Sequence, residues 1–117
     1  MLKDKIQEGE VLVVTGDRGV DDRDSVKVPF LGEAAPFPQG PFIIASLLDC
    51  PVYFLFCSKN KNTYEVYLEK ISETLSFDRK QRAVQLKNIV SLFAAALEKL
   101  CVKYPYQWFN FYDFWQE

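Results

Sequence analysis

The residues best suited to chemistry follow a short apolar run near the start of the chain. Residues 11–15 are rich in β-branched side chains, and Asp17 and Arg18 follow them after a single glycine. In open α/β sheets, ligands bind beyond the carboxyl ends of the strands. An arginine at that place can hold a phosphate group through two parallel hydrogen bonds. The alternative is a solvated ion pair between this arginine and a nearby acid: Asp21, Asp22 or Asp24.

A second candidate group precedes a predicted short helix and consists of Phe37, Gln39 and Gly40. Pro41 suits the first helical position, where its missing N–H costs nothing. The N–H groups and partial positive charge of a helix N-terminus suit a phosphate or an oxyanion. Gly40 would let a substrate approach the backbone closely. The alternative is ordinary capping, which every helix end requires.

Other kinds of catalytic chemistry find little support in the sequence. The chain contains no histidine, which excludes histidine-based triads and histidine general bases from these 117 residues. Cys50, Cys57 and Cys101 lack C-x-x-C spacing, so we interpret them as reduced core residues rather than zinc ligands or nucleophiles. No serine sits in a recognisable nucleophile elbow. We expect neither a cofactor nor a metal.

The first elements that would position these groups are a helix end and a strand. Residues 2–10 read as the last turns of a helix, with Gly9 as its C-cap. The run 11–15 is apolar on both faces, which is typical of a strand buried on both sides in a parallel sheet. Residues 18–40 are charged at first and then apolar but interrupted by prolines, so we predict an irregular loop. A short helix begins at Gly40.

The second half of the chain has clearer patterns. "PVYFLFCS" and "TYEVYLEKI", joined by "KNKN", predict an antiparallel hairpin. Asp78 and Gln81 predict a reciprocal N-cap for a long helix that Pro105 ends. Its apolar stripe recurs at steps of three and four residues: Ala83, Leu86, Ile89, Val90, Phe93, Ala94, Leu97, Leu100 and Cys101.

These elements predict an α/β fold in a single, partial domain. The length of 117 residues suits one domain, and a composition of 49% hydrophobic and 26% charged residues suits a globular core. Three strands are few for so apolar a first strand, so the chain resembles the second half of a larger sheet. The net charge of −2 gives no basis for binding nucleic acid. No run is long enough to span a bilayer, and no signal peptide is visible.

The segment "GDRGVDDRDSVKVPFLGEAAPFPQGPFIIASLLDCPVYFLF" resembles the C-terminal part of bacterial lipid A biosynthesis acyltransferases, within the lysophospholipid acyltransferase-like superfamily. The family pattern is a strand ending in an acid, a charged loop, V-x-V-P-F-x-G-x-x-A-x-x-P-x-G, a helix and a strand. Here these positions are Asp17, residues 26–32, Ala35, Pro38 and Gly40. The tail "YPYQWFNFYDFW" is similar to the family's closing segment, and the resemblance covers nearly the whole chain.

The resemblance implies a three-layer acyltransferase fold at the cytoplasmic face of the inner membrane, peripheral or anchored by an N-terminal segment. It also implies transfer of an acyl chain from an acyl-carrier protein thioester to a hydroxyl of a glycolipid. The family's base is a histidine followed four residues later by an acid. This sequence lacks that motif, so we expect a C-terminal portion that is inactive alone.

The resemblance also assigns roles to particular residues. Asp17, Arg18, Phe37, Gln39 and Gly40 are expected to bind the substrate or the carrier, with Arg18 suited to the phosphate of phosphopantetheine. The proline-stiffened loop is expected to line an acyl groove through these residues: Pro29, Phe30, Leu31 and Ala35. The alternative for that loop is packing over the core.

The aromatic tail, residues 104–117, has two possible roles, and one of them involves a partner. Its rings could close the core, with Trp108, Phe109, Phe111, Phe114 and Trp115 returning across the sheet, or meet lipid. Expected partners are the acyl-carrier protein or another acyl thioester, a glycolipid acceptor and a membrane surface. An exposed apolar surface would also favour a homo-oligomer. The alternative function is a non-catalytic module that binds lipid or protein.

Overall fold

The computed structural model describes residues 2–17, 24–73, 77–110 and 113–115. The fold is mixed α/β, as predicted, with two antiparallel sheets and a long C-terminal helix. The elements in chain order are α1 (Leu2–Gln7), β1 (Ser25–Phe30), β2 (Glu33–Pro38), α2 (Gly40–Leu48), β3 (Val52–Asn60), β4 (Thr63–Ser72) and α3 (Arg82–Lys103).

Helix α1 ends at Gln7, and Gly9 terminates it as the sequence predicts. This glycine has a φ of 92°, which is in the left-handed region that glycine adopts without steric cost. Its N–H donates to the carbonyl of Ile6, and the N–H of Glu10 donates to the carbonyl of Lys5. These two bonds form a Schellman motif, so the last carbonyls of this short exposed helix are satisfied.

The prediction of a buried strand over residues 11–15 is wrong. The structure assigns no strand there, and none of the four described strands pairs with this segment. Val11 is 83% exposed and Val13 is 74% exposed. A segment that is apolar on both faces needs a strand beside it and cover on both sides. The described residues supply neither, so the segment stays unpaired.

The irregular loop predicted for residues 18–40 is also wrong over its second half, which forms the hairpin β1–β2. Its register pairs Val28 with Ala35 and Phe30 with Glu33. Both turn residues have positive φ, 52° at Leu31 and 96° at Gly32. This turn type suits the right-handed twist of a hairpin. Prolines fit because each strand of a two-stranded sheet is an edge, where the missing N–H need not face a partner.

The short helix and the second hairpin are confirmed. Pro41 lies in the first turn of α2, and Asp49 ends the helix with a left-handed φ of 50°. Strands β3 and β4 are antiparallel, with Leu55 opposite Leu68 and Cys57 opposite Val66. Alternate side chains of this hairpin therefore point toward α3 and away from it.

The long helix is confirmed, but its predicted cap is wrong. Helix α3 begins at Arg82, and the side chain of Gln81 makes no capping hydrogen bond. Instead, the backbone N–H of Asp78 donates to Oε1 of Gln85 at 2.7 Å. The partner is thus one helical turn farther along than predicted. The helix ends at Lys103, two residues before Pro105.

The core lies between α3 and the two hairpins, and the predicted stripe of α3 supplies much of it. Leu86, Ile89, Val90, Ala94, Leu97, Leu100 and Cys101 are buried. Phe93 is half-buried, and Ala83, which the stripe also predicts in the core, is exposed. Of the cysteines predicted in the core, only Cys101 is fully buried. Cys50 is half-buried and Cys57 is exposed, on the outer face of β3.

The aromatic tail packs around Phe30, which is fully buried. Trp108 meets the Phe30 ring edge-on at 5.3 Å, and Trp115 stacks on it at 5.9 Å. The indole N–H of Trp115 donates to the carbonyl of Phe30 at 3.0 Å. Phe114 is buried between these rings. The tail therefore completes the core over β1.

Not all of the tail is buried. Tyr106 and Phe109 are exposed, so of the two possibilities for the tail rings Phe109 does not follow the return to the core, and Phe111 lies outside the described residues. Within the described ranges, no helix has both the length and the apolar character to cross a bilayer.

Candidate functional site

Asp17 is held by the aromatic tail. The indole N–H of Trp108 donates to Oδ2 of Asp17 at 2.8 Å in a half-buried position. Trp108 in turn packs on Phe30. The carboxylate that the sequence analysis assigned to substrate binding is therefore fixed in place. Arg18, its predicted companion, lies outside the described residues.

Gly16, the residue before this aspartate, lies directly against the ring of Phe93. A Cβ placed on Gly16 would come within 2.6 Å of Cζ of Phe93. The Phe93 ring also meets Phe37 at 6.1 Å and Phe42 at 5.7 Å, both edge-on. The end of the apolar segment and the start of α2 thus meet across one aromatic ring. The periodic stripe of α3 predicts Phe93 as a core residue, but the pattern gives no sign of this connecting role.

The N-terminus of α2 satisfies much of its own first turn. The N–H groups of Phe42 and Ile43 both donate to the carbonyl of Gln39, at 3.1 Å and 3.0 Å. The N–H of Gln39 donates to the carbonyl of Asp24 at 2.9 Å, and Pro41 has no N–H. Around Gly40 the space is open, with nothing within 4 Å of the place of a Cβ. A ligand at this helix end would therefore be received mainly by the Gly40 backbone, and such binding stays a prediction.

The residues assigned to an acyl groove do not share one surface. Phe30 and Ala35 are fully buried in the core, as is Phe37. Pro29 and Leu31 are exposed. Successive side chains of a strand point to opposite faces, so the hairpin separates the two sets. The acyl groove stays a prediction. In the structure, Phe30 and Ala35 belong to the core side of the hairpin, and Pro29 and Leu31 belong to its exposed side.

The turn of this hairpin is tied to α3. The backbone N–H of Leu31 donates to Oε1 of Glu98 at 2.5 Å. A leucine with a φ of 52° is in an unfavourable region for a bulky side chain, and strain of this kind persists only where neighbours hold it. Glu98 is such a neighbour. The sequence gives no signal for this role of Glu98, because its position on the helix shows nothing of a partner 67 residues away.

Cys101 lies close to two of these acids. Burial, together with the nearby carboxylates of Asp17 and Glu98, raises the pKa of its thiol to about 12. The thiol is therefore protonated at neutral pH and is a poor nucleophile. Among the described residues, no three cysteines, aspartates or glutamates are grouped to hold a metal ion.

A shallow cleft of about 300 Å³ lies between β4 and α3. Both apolar and charged side chains line it. The residues that line it are Glu69, Lys70, Ile71, Leu92, Ala95, Ala96 and Lys99. None of the predicted site residues is among them.

Comparison with known proteins identifies the family of the chain. Residues 1–117, the whole chain, match the family described as Bacterial lipid A biosynthesis acyltransferase. Searches of curated proteins and of solved structures gave no match. The match covers the segment that contains Asp17, both hairpins, helix α3 and the aromatic tail. The chain belongs to the bacterial lipid A biosynthesis acyltransferase family.

Proposed function

We propose that this chain is the C-terminal part of an acyltransferase that moves a fatty acyl chain from an acyl-carrier protein to a glycolipid resembling lipid A. The observation that carries the proposal is the family match over all 117 residues. The packing around Phe93 also supports it, because Gly16, the residue before Asp17, and Phe37, in the strand before α2, both lie against that ring.

The reaction would be an acyl transfer from sulfur to oxygen. The acceptor hydroxyl oxygen forms a bond to the thioester carbonyl carbon, the bond from carbon to sulfur breaks, and the hydroxyl proton ends on the thiol of the carrier. A base must hold that proton in passing. The sequence has no histidine, and Cys101 keeps its proton at neutral pH. We therefore propose that this chain binds and orients but does not transfer.

The residues of this chain would bind the substrates and hold them in place. Asp17, fixed by Trp108, would accept a hydrogen bond from the acceptor. The open backbone at Gly40 would approach the thioester or the phosphate of the carrier's arm, aided by the partial positive charge of the helix N-terminus.

Binding and transfer are tested separately. Carrier protein bearing an acyl amide in place of the thioester is titrated with the 117-residue chain, and we expect saturable binding. Gly40→Val should weaken this binding about tenfold or more, because a side chain at this position blocks close approach to the backbone, and its Cβ has no protein atom within 4 Å. Lys87→Gln, on an exposed part of α3, is the control and should bind as the unaltered chain does.

For transfer, the chain is incubated with a labelled acyl-carrier thioester and a lipid A precursor. We expect no labelled lipid. Labelled lipid formed by the purified chain would contradict the claim that it is inactive alone, and absence of any carrier binding would contradict the proposed role in substrate binding.

The alternative of a non-catalytic module that binds lipid or protein also has support. The buried cluster that includes Phe30, Phe37 and Val90 closes within the chain, as expected of a unit that folds by itself. Binding of lipid without binding of the carrier would favour this alternative.

A further inference from the structure

The outer face of the hairpin β3–β4 is an apolar surface with lysines at its ends. Facing outward are four cross-strand pairs: Tyr53 with Lys70, Leu55 with Leu68, Cys57 with Val66, and Lys59 with Tyr64. All eight side chains are exposed. We refer to these eight residues as the outer face.

The apolar residues of β4 lie on the side turned away from α3. Val66 is 66% exposed and Leu68 is 61% exposed. The intervening Glu65 and Glu69 lie opposite Ser58 and Phe54, whose side chains are buried toward α3. The face of β4 toward α3 carries Tyr67 and Ile71, which pack on the core, and the outward face carries Val66 and Leu68. An ordinary half-solvated strand has polar side chains on its outward face, so this apolar outer face is expected to be covered.

The charge of the outer face selects its partner. Its two charged side chains, Lys59 and Lys70, are both cationic and lie at opposite ends, and Lys61 follows in the turn. The ammonium group of Lys70 forms an ion pair with Glu73, with 2.6 Å between nitrogen and oxygen. Among the described residues, the end of the outer face near the turn, with Lys59 and Lys61, therefore has more unpaired positive charge than the end at Lys70. A second copy stacked on this face would bring lysines against lysines, whether the strands ran parallel or antiparallel. The complementary partner is therefore an anionic one.

The size of the outer face points the same way. Four rows of a two-stranded ribbon cover about 20 Å by 10 Å, on the order of 200 Å². Stable interfaces between proteins bury about 800 Å² on each partner. A bilayer surface has no such requirement, because partition grows with each apolar group and each cation that reaches it.

We propose that the outer face of β3–β4 is a contact surface for an anionic lipid bilayer. The aliphatic centre, Leu55, Val66 and Leu68, enters the boundary between headgroups and acyl chains. Tyr53 and Tyr64 sit at the headgroup level, where rings with a polar tip are favoured. The lysines extend their stems over the apolar surface and place their ammonium groups on lipid phosphates. This deepens the proposed function, since a glycolipid acceptor lies in a membrane.

The test is sedimentation of the full 117-residue chain with vesicles of phosphatidylcholine mixed with phosphatidylglycerol, and with vesicles of phosphatidylcholine alone. We expect the chain to bind the anionic vesicles more tightly. A lysine near an anionic surface contributes about fivefold to the partition coefficient, so Lys59→Gln with Lys61→Gln should lower it about 25-fold. The same two changes should leave binding to the neutral vesicles unaltered.

The apolar part of the surface is tested with a matched pair of double variants. Leu55→Thr with Leu68→Thr should lower binding to both kinds of vesicle about tenfold, because apolar area is lost while threonine favours the strand. Leu47→Thr with Leu92→Thr removes the same groups from α2 and α3, where the leucines are 72% and 54% exposed, and should not change binding. Circular dichroism checks that each variant folds.

Three results would overturn the proposal. The first is equal binding to anionic and neutral vesicles. The second is an effect of Lys80→Gln with Lys87→Gln, on the other basic part of the chain, as large as that of the hairpin lysines. The third is a dimer in sedimentation velocity that Leu55→Thr with Leu68→Thr converts to a monomer, which would assign the outer face to a second copy. No acyl donor is present, so none of these results bears on carrier binding.

Discussion

The indole N–H of Trp108 donates to the carboxylate of Asp17 across 91 positions of sequence, with 2.8 Å between nitrogen and oxygen. One partner follows the exposed apolar segment and the other begins the buried part of the tail. The bond therefore joins the two ends of the chain beside Phe30. Hydrogen bonds to a charged acceptor are stronger than neutral ones, so this contact is expected to contribute to stability as well as to position.

Replacement of Asp17 should show that contribution. Asp17→Ala leaves the half-buried indole N–H without its acceptor and should lower the free energy of unfolding by about 1–2 kcal/mol. Asp17→Asn keeps an acceptor oxygen at the same place and should cost less. Urea unfolding followed by tryptophan fluorescence measures both. Equal losses in the two variants would show that the charge, rather than the hydrogen bond to Trp108, stabilises this site.

Gly16 provides a test of the contact with Phe93. Gly16→Ala should lower the free energy of unfolding by about 1–3 kcal/mol, because the new methyl group would overlap a packed ring. Phe93→Leu in the same chain should recover part of the loss that Gly16→Ala causes. Gly40→Ala is the matched control, since the space around Gly40 is open, and it should be neutral or slightly stabilising. A harmless Gly16→Ala would mean that Phe93 does not pack there.

The tail offers a matched pair of phenylalanines. Phe114 is buried between Phe30 and Trp108, whereas Phe109 is exposed five positions earlier. Phe114→Ala should lower the free energy of unfolding by about 3 kcal/mol or more, as truncations of buried rings do. Phe109→Ala should change it by no more than about 0.5 kcal/mol. Thermal unfolding of the two variants beside the unaltered chain decides this, and equal effects would place the tail outside the core.

Local patterns predicted the elements whose partners are close in sequence. The stripe of α3 needs only its own period, and β3–β4 needs only alternation and a short turn, so both were found. The hairpin β1–β2 was missed because its prolines argue against a central strand, and only the two-stranded sheet makes both strands edges. The composition of residues 11–15 predicts a buried strand, but burial depends on neighbouring elements, and the described residues supply none for this segment.

Local sequence patterns predicted part of the candidate site, and the rest depends on tertiary contacts. The pattern around Asp17 and Gly40 indicated the family, and the family match confirms it. The contacts that hold the site come from Trp108, Phe93 and Glu98, which belong to the tail and α3. Each is joined to its partner by tertiary packing alone. No spacing in the sequence encodes such a contact, so these three residues were not assigned to the site.

Because of Cys101, the free energy of unfolding is expected to fall as the pH becomes alkaline. The pKa of its thiol is raised from an ordinary value near 9 to about 12 in the folded chain, chiefly because it is buried. The folded state therefore holds the proton more tightly than the unfolded state. Its contribution to stability is fully present below about pH 9 and is lost as the pH rises from there toward 12. Cys101→Ala should weaken this alkaline loss, measured as the urea midpoint at several pH values.

Alkylation tests the same thiol without a denaturant titration. At about pH 8 a thiol with a pKa near 12 has about a thousandfold less thiolate than one with a pKa near 9, and the thiolate is the reactive form. Cys101 should therefore react with iodoacetamide at least that much more slowly in the folded chain than in urea. Cys57 is exposed and serves as the internal control, with similar rates in both states. Peptide mass spectrometry resolves the two sites. Fast modification of Cys101 in the folded chain would mean that α3 does not bury it against the hairpins, and the raised pKa would then lose its physical cause.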